Sequence, residues 1–216
     1  MTFKNKIRYS LLSYRHIAGF YQSLRSQSEV GAKALALMIL TGRRVSEVLN
    51  AQWAEIDFAQ RVWNIPAARM KNRQAHRVPL LESMQEILGP LRGLDPVWVF
   101  PGARGGALSK IAVSTVLRKM GHPYAIVYDF HAIFRAWVDD KATYPEKLVA
   151  LAFARWEGHA FEMAYRRSDL FERHRALMQD WASWCSTPQS NEKVEGHHFL
   201  GDMCPDAGCA LAPDVQ

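Results

Sequence analysis

A chain of 216 residues with 49% hydrophobic and 22% charged residues can bury one ordinary core and carry a tail, which excludes disorder over most of its length. A formal charge of +6 and a pI of about 9.3 favour an anionic partner such as nucleic acid but say nothing about fold. No apolar h-region follows the basic start, and the best apolar stretch, residues 32 to 40, is short and carries Lys33, so no membrane span or signal peptide is expected. The three cysteines, Cys185, Cys204 and Cys209, all lie near the C-terminus, as in a reduced cytoplasmic protein.

In chain order, apolar and aromatic residues at helical spacing predict a helix over residues 8 to 24 and a second over 30 to 40, stopped by Gly42. A short helical turn follows at 46 to 50. The period then changes to alternation, predicting strands at 53 to 58, 62 to 66 and 76 to 80. The loop 67 to 75 is rich in Arg, Lys, Asn and Gln and forms a basic hairpin tip. Beyond it we expect a helix over 83 to 91, a brief strand at 97 to 100, and a helix over 110 to 120 capped by Ser109. Further helices are expected over 129 to 141, 145 to 154, 159 to 166 and 169 to 185, with Pro145 in a first turn. Residues 186 to 216 turn polar and are expected to be a tail without fixed structure. The pattern defines an α+β fold, mainly α-helical with a small antiparallel three-stranded sheet.

Three segments carry chemistry. In Leu40-Thr-Gly-Arg-Arg-Val-Ser-Glu-Val-Leu49 an arginine beside a helix start can meet a phosphate next to backbone N–H groups; the bland alternative is a capped helix with two solvated arginines. Arg69-Met-Lys-Asn-Arg73 lies on the hairpin tip, where an exposed charged turn is the alternative. Ala164-Tyr-Arg-Arg-Ser-Asp-Leu-Phe-Glu172 places a tyrosine in a basic setting. A phenol with a pKa of about 10 attacks a phosphodiester only if cations stabilise the developing charge and an acid protonates the leaving oxygen.

Together with Trp53-x-Glu-Ile-Asp57, Val62-Trp-Asn-Ile-Pro66, His76-Arg-Val-Pro-Leu80 and Val99-Phe-Pro101, these segments resemble the tyrosine recombinases of the phage-integrase kind, over residues 12 to 185. The resemblance implies the catalytic-domain fold of those DNA breaking-rejoining enzymes over residues 8 to 185. It also implies site-specific recombination or integration through a 3′-phosphotyrosyl DNA intermediate, with no metal and no nucleotide cofactor. Carried over by position, Tyr165 is the nucleophile, Arg44 a phosphate-clamping arginine, Lys71 the general acid and Glu47 a support for Arg44. Arg43, Arg69, Arg73, Arg77 and Arg135 are the expected contacts to double-stranded DNA. The C-terminal helix either packs on its own core, which its apolar residues favour, or docks on a neighbouring subunit of a homo-oligomeric synaptic tetramer. An N-terminal core-binding domain belongs to the family pattern and is expected to be absent from this chain.

The sequence also departs from the pattern. Counting back from Phe134-Arg-Ala-Trp137 puts Tyr128 where the family has histidine and His131 where it has its second arginine. A register shift to His131 with Arg135 has a spacing of four instead of three, and one residue turns a helical side chain by about 100°. The usual Leu-Ala-His is Phe153-Ala-Arg155, so Arg155 replaces another phosphate-binding side chain. These changes imply impaired cleavage, the alternative being a catalytically degenerate DNA-binding remnant. Cys204-x4-Cys209 and Gly196-His-His do not have the spacing of a usual zinc module, so no metal site is expected.

Overall fold

The computed structural model describes residues 13–122, 129–141, 143–155 and 168–187. Outside them lie the first residues of the expected N-terminal helix, Tyr128, the expected helix over 159 to 166, Tyr165 and most of the tail.

Helix α1 (Ile17–Arg25) packs on α2 (Val30–Thr41), which runs through the centre of the core with every residue from Ala34 to Thr41 buried. Such all-round burial explains why α2 reads as continuously apolar and not as a one-sided stripe. Gly42 ends it in the left-handed conformation (φ 60°), its N–H donating to the Met38 carbonyl at 2.9 Å. A Cβ at Gly42 would stand 2.5 Å from the Phe134 ring, so glycine meets both a backbone and a packing requirement. Three residues on, α3 (Val45–Leu49) begins.

The sheet has the order β1-β2-β3 and is antiparallel throughout: β1 is Ile56–Asp57, β2 Val62–Ile65 and β3 His76–Pro79. Trp63 faces Val78 and Ile65 faces His76 across the longer ladder. The first strand is shorter than expected because Trp53–Glu55 forms a 3₁₀ turn, with the Trp53 N–H given to Val97 at 3.0 Å. The strand expected at 97 to 100 is likewise only bridged, Gln52 to Trp98 and Pro101 to Ala107. There the Asp95 carboxylate accepts the N–H groups of Val97 and Trp98 at 2.8 and 2.7 Å, a local turn that competes with extended pairing.

Helices α4 (Glu82–Leu88), α5 (Lys110–Lys119), α6 (Asp129–Lys141) and α7 (Glu146–Ala152) follow, then α8 (Ser168–Ser186). The Ser109 side chain caps α5 by accepting the Ala112 N–H, and Pro145 sits at the N-cap of α7, one position outside the first turn. Leu177, Met178, Trp181 and Cys185 of α8 are buried against this chain's own core. Trp181 stacks on Phe134 with ring centres 5.0 Å apart, and its indole N–H donates to the Ile39 carbonyl at 2.8 Å. The Trp184 N–H reaches the Tyr14 carbonyl at 3.0 Å, closing α8 onto the start of α1. The apolar face of the C-terminal helix is therefore occupied within the chain, as its composition favoured over docking on a neighbour.

Candidate DNA-cleavage site

The Gly42 turn and the end of α7 meet, and between them they position Arg43, Arg44 and Arg155. Arg44 is extended (φ −68°, ψ 149°) at the N-cap of α3, so its side chain leaves the helix start instead of folding along it. Glu47, one turn later and only 2% exposed, accepts both the Arg44 backbone N–H and its Nη1 at 3.1 Å. The carboxylate thus fixes Arg44 from behind while a third of the side chain remains open to solvent. This is the supporting role expected for Glu47.

Arg43 goes the other way. It is buried, and its guanidinium donates to the Ala152 carbonyl at the end of α7 and to the Thr41 carbonyl. Arg43, expected at the DNA, points inward in this structure: adjacent residues of a turn point to opposite sides, and the inner one joins α2 to α7. Arg69, also expected at the DNA, turns inward too. It pairs with Glu55 at 2.9 Å and donates to the Glu47 carbonyl at 2.8 Å, largely out of solvent. Glu55 also accepts the Trp63 indole N–H at 2.9 Å, and burial raises its pKa. Sequence reading missed Glu55 as the partner that draws Arg69 inward; a carboxylate in an aromatic-rich strand segment was the available signal.

Helix α7 ends in a Schellman arrangement. The Arg155 N–H bonds the Ala150 carbonyl at 2.8 Å and the Ala154 N–H the Leu151 carbonyl at 2.9 Å. Ala154 takes the left-handed conformation (φ 50°) usually left to glycine, a local strain beside the site. Carbonyls freed at this helix end are bonded by Arg43 and by Asn72, whose amide donates to Ala154 at 3.2 Å. Asn72, not singled out from sequence, thereby ties the hairpin turn that carries exposed Lys71 to the residue before Arg155. Arg73 is exposed on the same turn in a left-handed conformation (φ 57°). Arg77 covers the Phe171 ring at 4.4 Å, and Arg135 is held on its own helix by Asp139 at 2.9 Å.

His131 on α6 sits at the meeting point. Its Nδ1 is 2.7 Å from the Gly42 carbonyl, which can only accept, so Nδ1 carries the proton. The remaining ring nitrogen, Nε2, faces Arg155 Nη2 at 3.4 Å. Burial holds the imidazole pKa down, to about 4, and the charges of Arg43, Arg155 and Arg44 add to burial against the Gly42 bond. At neutral pH His131 is uncharged and does not supply the positive charge of an arginine.

Two further histidines are buried beneath the site, His76 on β3 and His174 on α8, with ring centres 6.0 Å apart. Burial lowers both, His174 to about 3, and Arg43 contributes to each. All three imidazoles have folded pKa values below the unfolded value of about 6.5. Stability is therefore full above pH 6.5 and falls as the pH drops through that value, because the unfolded chain takes up protons the fold refuses. Each such group adds at most about 1.4 kcal/mol per pH unit to that fall, partly offset by raised Glu55. Urea unfolding at pH 7.5, 6 and 5 measures it; a flat midpoint across that range is the contrary result, and His174→Leu should flatten the dependence.

Comparison with known proteins matches the family model described as Phage integrase family to residues 13–136, more than half of the chain. The chain belongs to the phage integrase family, and its helices and three-stranded sheet are the tyrosine-recombinase catalytic fold. It is 30% identical over 165 residues to "Prophage integrase IntA" of Escherichia coli (strain K12), covering 74% of this chain and 40% of that protein. Identity to "Integrase" of Shigella phage Sf6 is 25% over 191 residues, 83% of this chain and 48% of the relative. For "Integrase" of Enterobacteria phage P4 it is 27% over 171 residues, 70% and 39% respectively. The chain thus spans less than half the length of each of these curated relatives. No solved structure matches it. No helix among the described residues is long and apolar enough to cross a membrane.

Proposed function

We propose that this chain acts on double-stranded DNA as the cleaving part of a site-specific recombinase, with a slowed chemical step. The observation that carries the reading is Arg44, held by buried Glu47 at a helix start and open on its outer side. A guanidinium so fixed meets two non-bridging phosphate oxygens without reorganising, and the backbone dipoles at the start of the helix favour the same anion.

In the proposed reaction the Tyr165 oxygen, giving up its phenol proton to water, attacks the scissile phosphorus and forms a 3′-phosphotyrosyl bond. The bond from phosphorus to the 5′-oxygen breaks, and that oxygen leaves as a hydroxyl after taking a proton from Lys71. No metal or nucleotide is consumed, since the phosphotyrosyl bond conserves the phosphodiester energy for rejoining. Arg73, Arg77 and Arg135 are assigned to phosphate contacts along the duplex, and assembly into a synaptic tetramer on DNA belongs to the same proposal. Tyr128 and His131 weaken cleavage, because a neutral imidazole replaces a fixed cation at 131. Loss of one such donor costs about 10²–10³ in rate.

A nicked suicide duplex that loses its 5′-fragment on cleavage tests the reading. The wild-type chain is expected to accumulate a covalent protein–DNA adduct slowly, and Tyr165→Phe none. No adduct from the wild type on an attachment-site duplex at high protein concentration would leave the second reading, a DNA-binding remnant, which the uncharged His131 favours.

A further inference from the structure

We infer that Arg155 is a phosphate-clamping residue of the same centre as Arg44, and that His131 is the positioning residue that aims it; this rests on the proposed recombinase reading. The two side chains come from different elements, α6 and the turn that ends α7, yet their nitrogens lie 3.4 Å apart. His131 cannot rotate freely, since Nδ1 is bonded to the Gly42 carbonyl at 2.7 Å and its ring stands edge-on to Phe153 at 4.8 Å. With the proton on Nδ1, Nε2 offers only a lone pair, and the one described partner of that lone pair is the Arg155 guanidinium.

Arg155 is exposed, and the His131 contact uses one of the five N–H donors of a guanidinium. No carboxylate among the described residues forms an ion pair with it. Its backbone is fixed by the Schellman bonds, so neither end of the side chain is loose. The Gly42 turn that orients His131 also launches Arg44 two residues later, so one turn registers both guanidinium groups. Each of the two guanidinium groups keeps part of its surface open to solvent, where an anion can meet it. A DNA phosphodiester, with two non-bridging oxygens and one negative charge, is the chemical class that fits. The pairing also makes His131 and Arg155 interdependent. An arginine at 131 would face Arg155 with no acceptor between them, whereas exchanging the two residues keeps one guanidinium and one imidazole in contact.

The test is binding of the full chain to a fluorescent 20-base-pair duplex, by anisotropy between 50 and 300 mM KCl, with Arg44→Ala as reference. Arg155→Ala is expected to lower the slope of log affinity against log salt by about one, as for one lost phosphate contact. His131→Ala should weaken binding in the wild type but add nothing to Arg155→Ala. His131→Arg alone should bind severalfold more weakly, and His131→Arg with Arg155→His should recover to within about twofold. An unchanged slope in Arg155→Ala, or tighter binding by His131→Arg, overturns the inference.

A second readout needs no DNA. The ¹⁵N signals of His131 should report a proton on Nδ1, with Nε2 shifting in Arg155→Ala; a proton on Nε2 overturns the inference even if a variant fails to fold. If Arg44→Ala and Lys71→Ala also leave the salt slope unchanged, the recombinase reading fails with it. If those two weaken binding while the 131 and 155 variants do not, only this inference falls.

Discussion

Arg44→Ala is expected to slow covalent adduct formation on a nicked duplex by about 10²–10³. The magnitude follows from preorganisation. Glu47 already holds the guanidinium in place, so the wild type spends no further free energy on orienting it when phosphate arrives. Arg44→Lys should recover only part of the loss, because a point charge lacks the planar fork that meets two oxygens at once. Glu47→Gln keeps the fold but loosens the anchor and should fall between wild type and Arg44→Ala. The stability cost of Arg44→Ala is expected to be about 1–3 kcal/mol, because the buried Glu47 carboxylate keeps the backbone N–H at 3.1 Å and loses the guanidinium. Urea unfolding separates this cost from the chemical one. An adduct rate in Arg44→Ala equal to that of the wild type would remove Arg44 from the mechanism.

Trp181→Ala is expected to destabilise the domain by about 3–5 kcal/mol, a large part of the 5–15 kcal/mol typical of a domain. Trp181 is fully buried, lies between Phe134 at 5.0 Å and Trp137 at 5.2 Å, and leaves a cavity its rigid neighbours cannot fill. It also supplies the hydrogen bond to Ile39, one of the last carbonyls of α2, which the helix does not satisfy by its own repeat. Trp181→Phe keeps the stack and loses that bond, so about 1–2 kcal/mol is expected. The unfolding midpoint in urea measures both, and equal stability of Trp181→Ala and wild type would contradict the packing described. Because Ile39 lies three residues before Gly42, the C-terminal helix also braces the turn that launches Arg44.

The elements that were legible from the chain are those whose signal is local. Gly42 marked the end of α2 because a left-handed residue is needed there, and Ser109 marked the start of α5 because its side chain bonds within three residues. Apolar spacing likewise placed α6 and α8, and the alternation around Trp63 and Val78 placed the β2–β3 hairpin. The strands at 53 to 58 and 97 to 100 were overstated, since an Asp95 turn and a 3₁₀ turn compete for the same backbone groups. Family membership was legible too, because it rests on the order of several short motifs along the chain and not on contacts.

The direction of each arginine was not legible. Arg43 and Arg44 are neighbours of one residue type, and Arg69 belongs to the same basic run as Lys71 and Arg73. Which of them turn inward depends on partners outside the local run, the Ala152 carbonyl for Arg43 and Glu55 for Arg69, whereas Arg44 is held by Glu47 only three residues away. The protonation of His131 was equally beyond the sequence, which offered only an imidazole near its ordinary pKa. Burial and three guanidinium groups outweigh the bond to the Gly42 carbonyl and decide that it is neutral. Residue type and spacing specify which groups can donate, accept or carry charge. Whether a group faces phosphate, a helix-end carbonyl or a buried carboxylate is an energetic competition among groups brought together only when the chain folds.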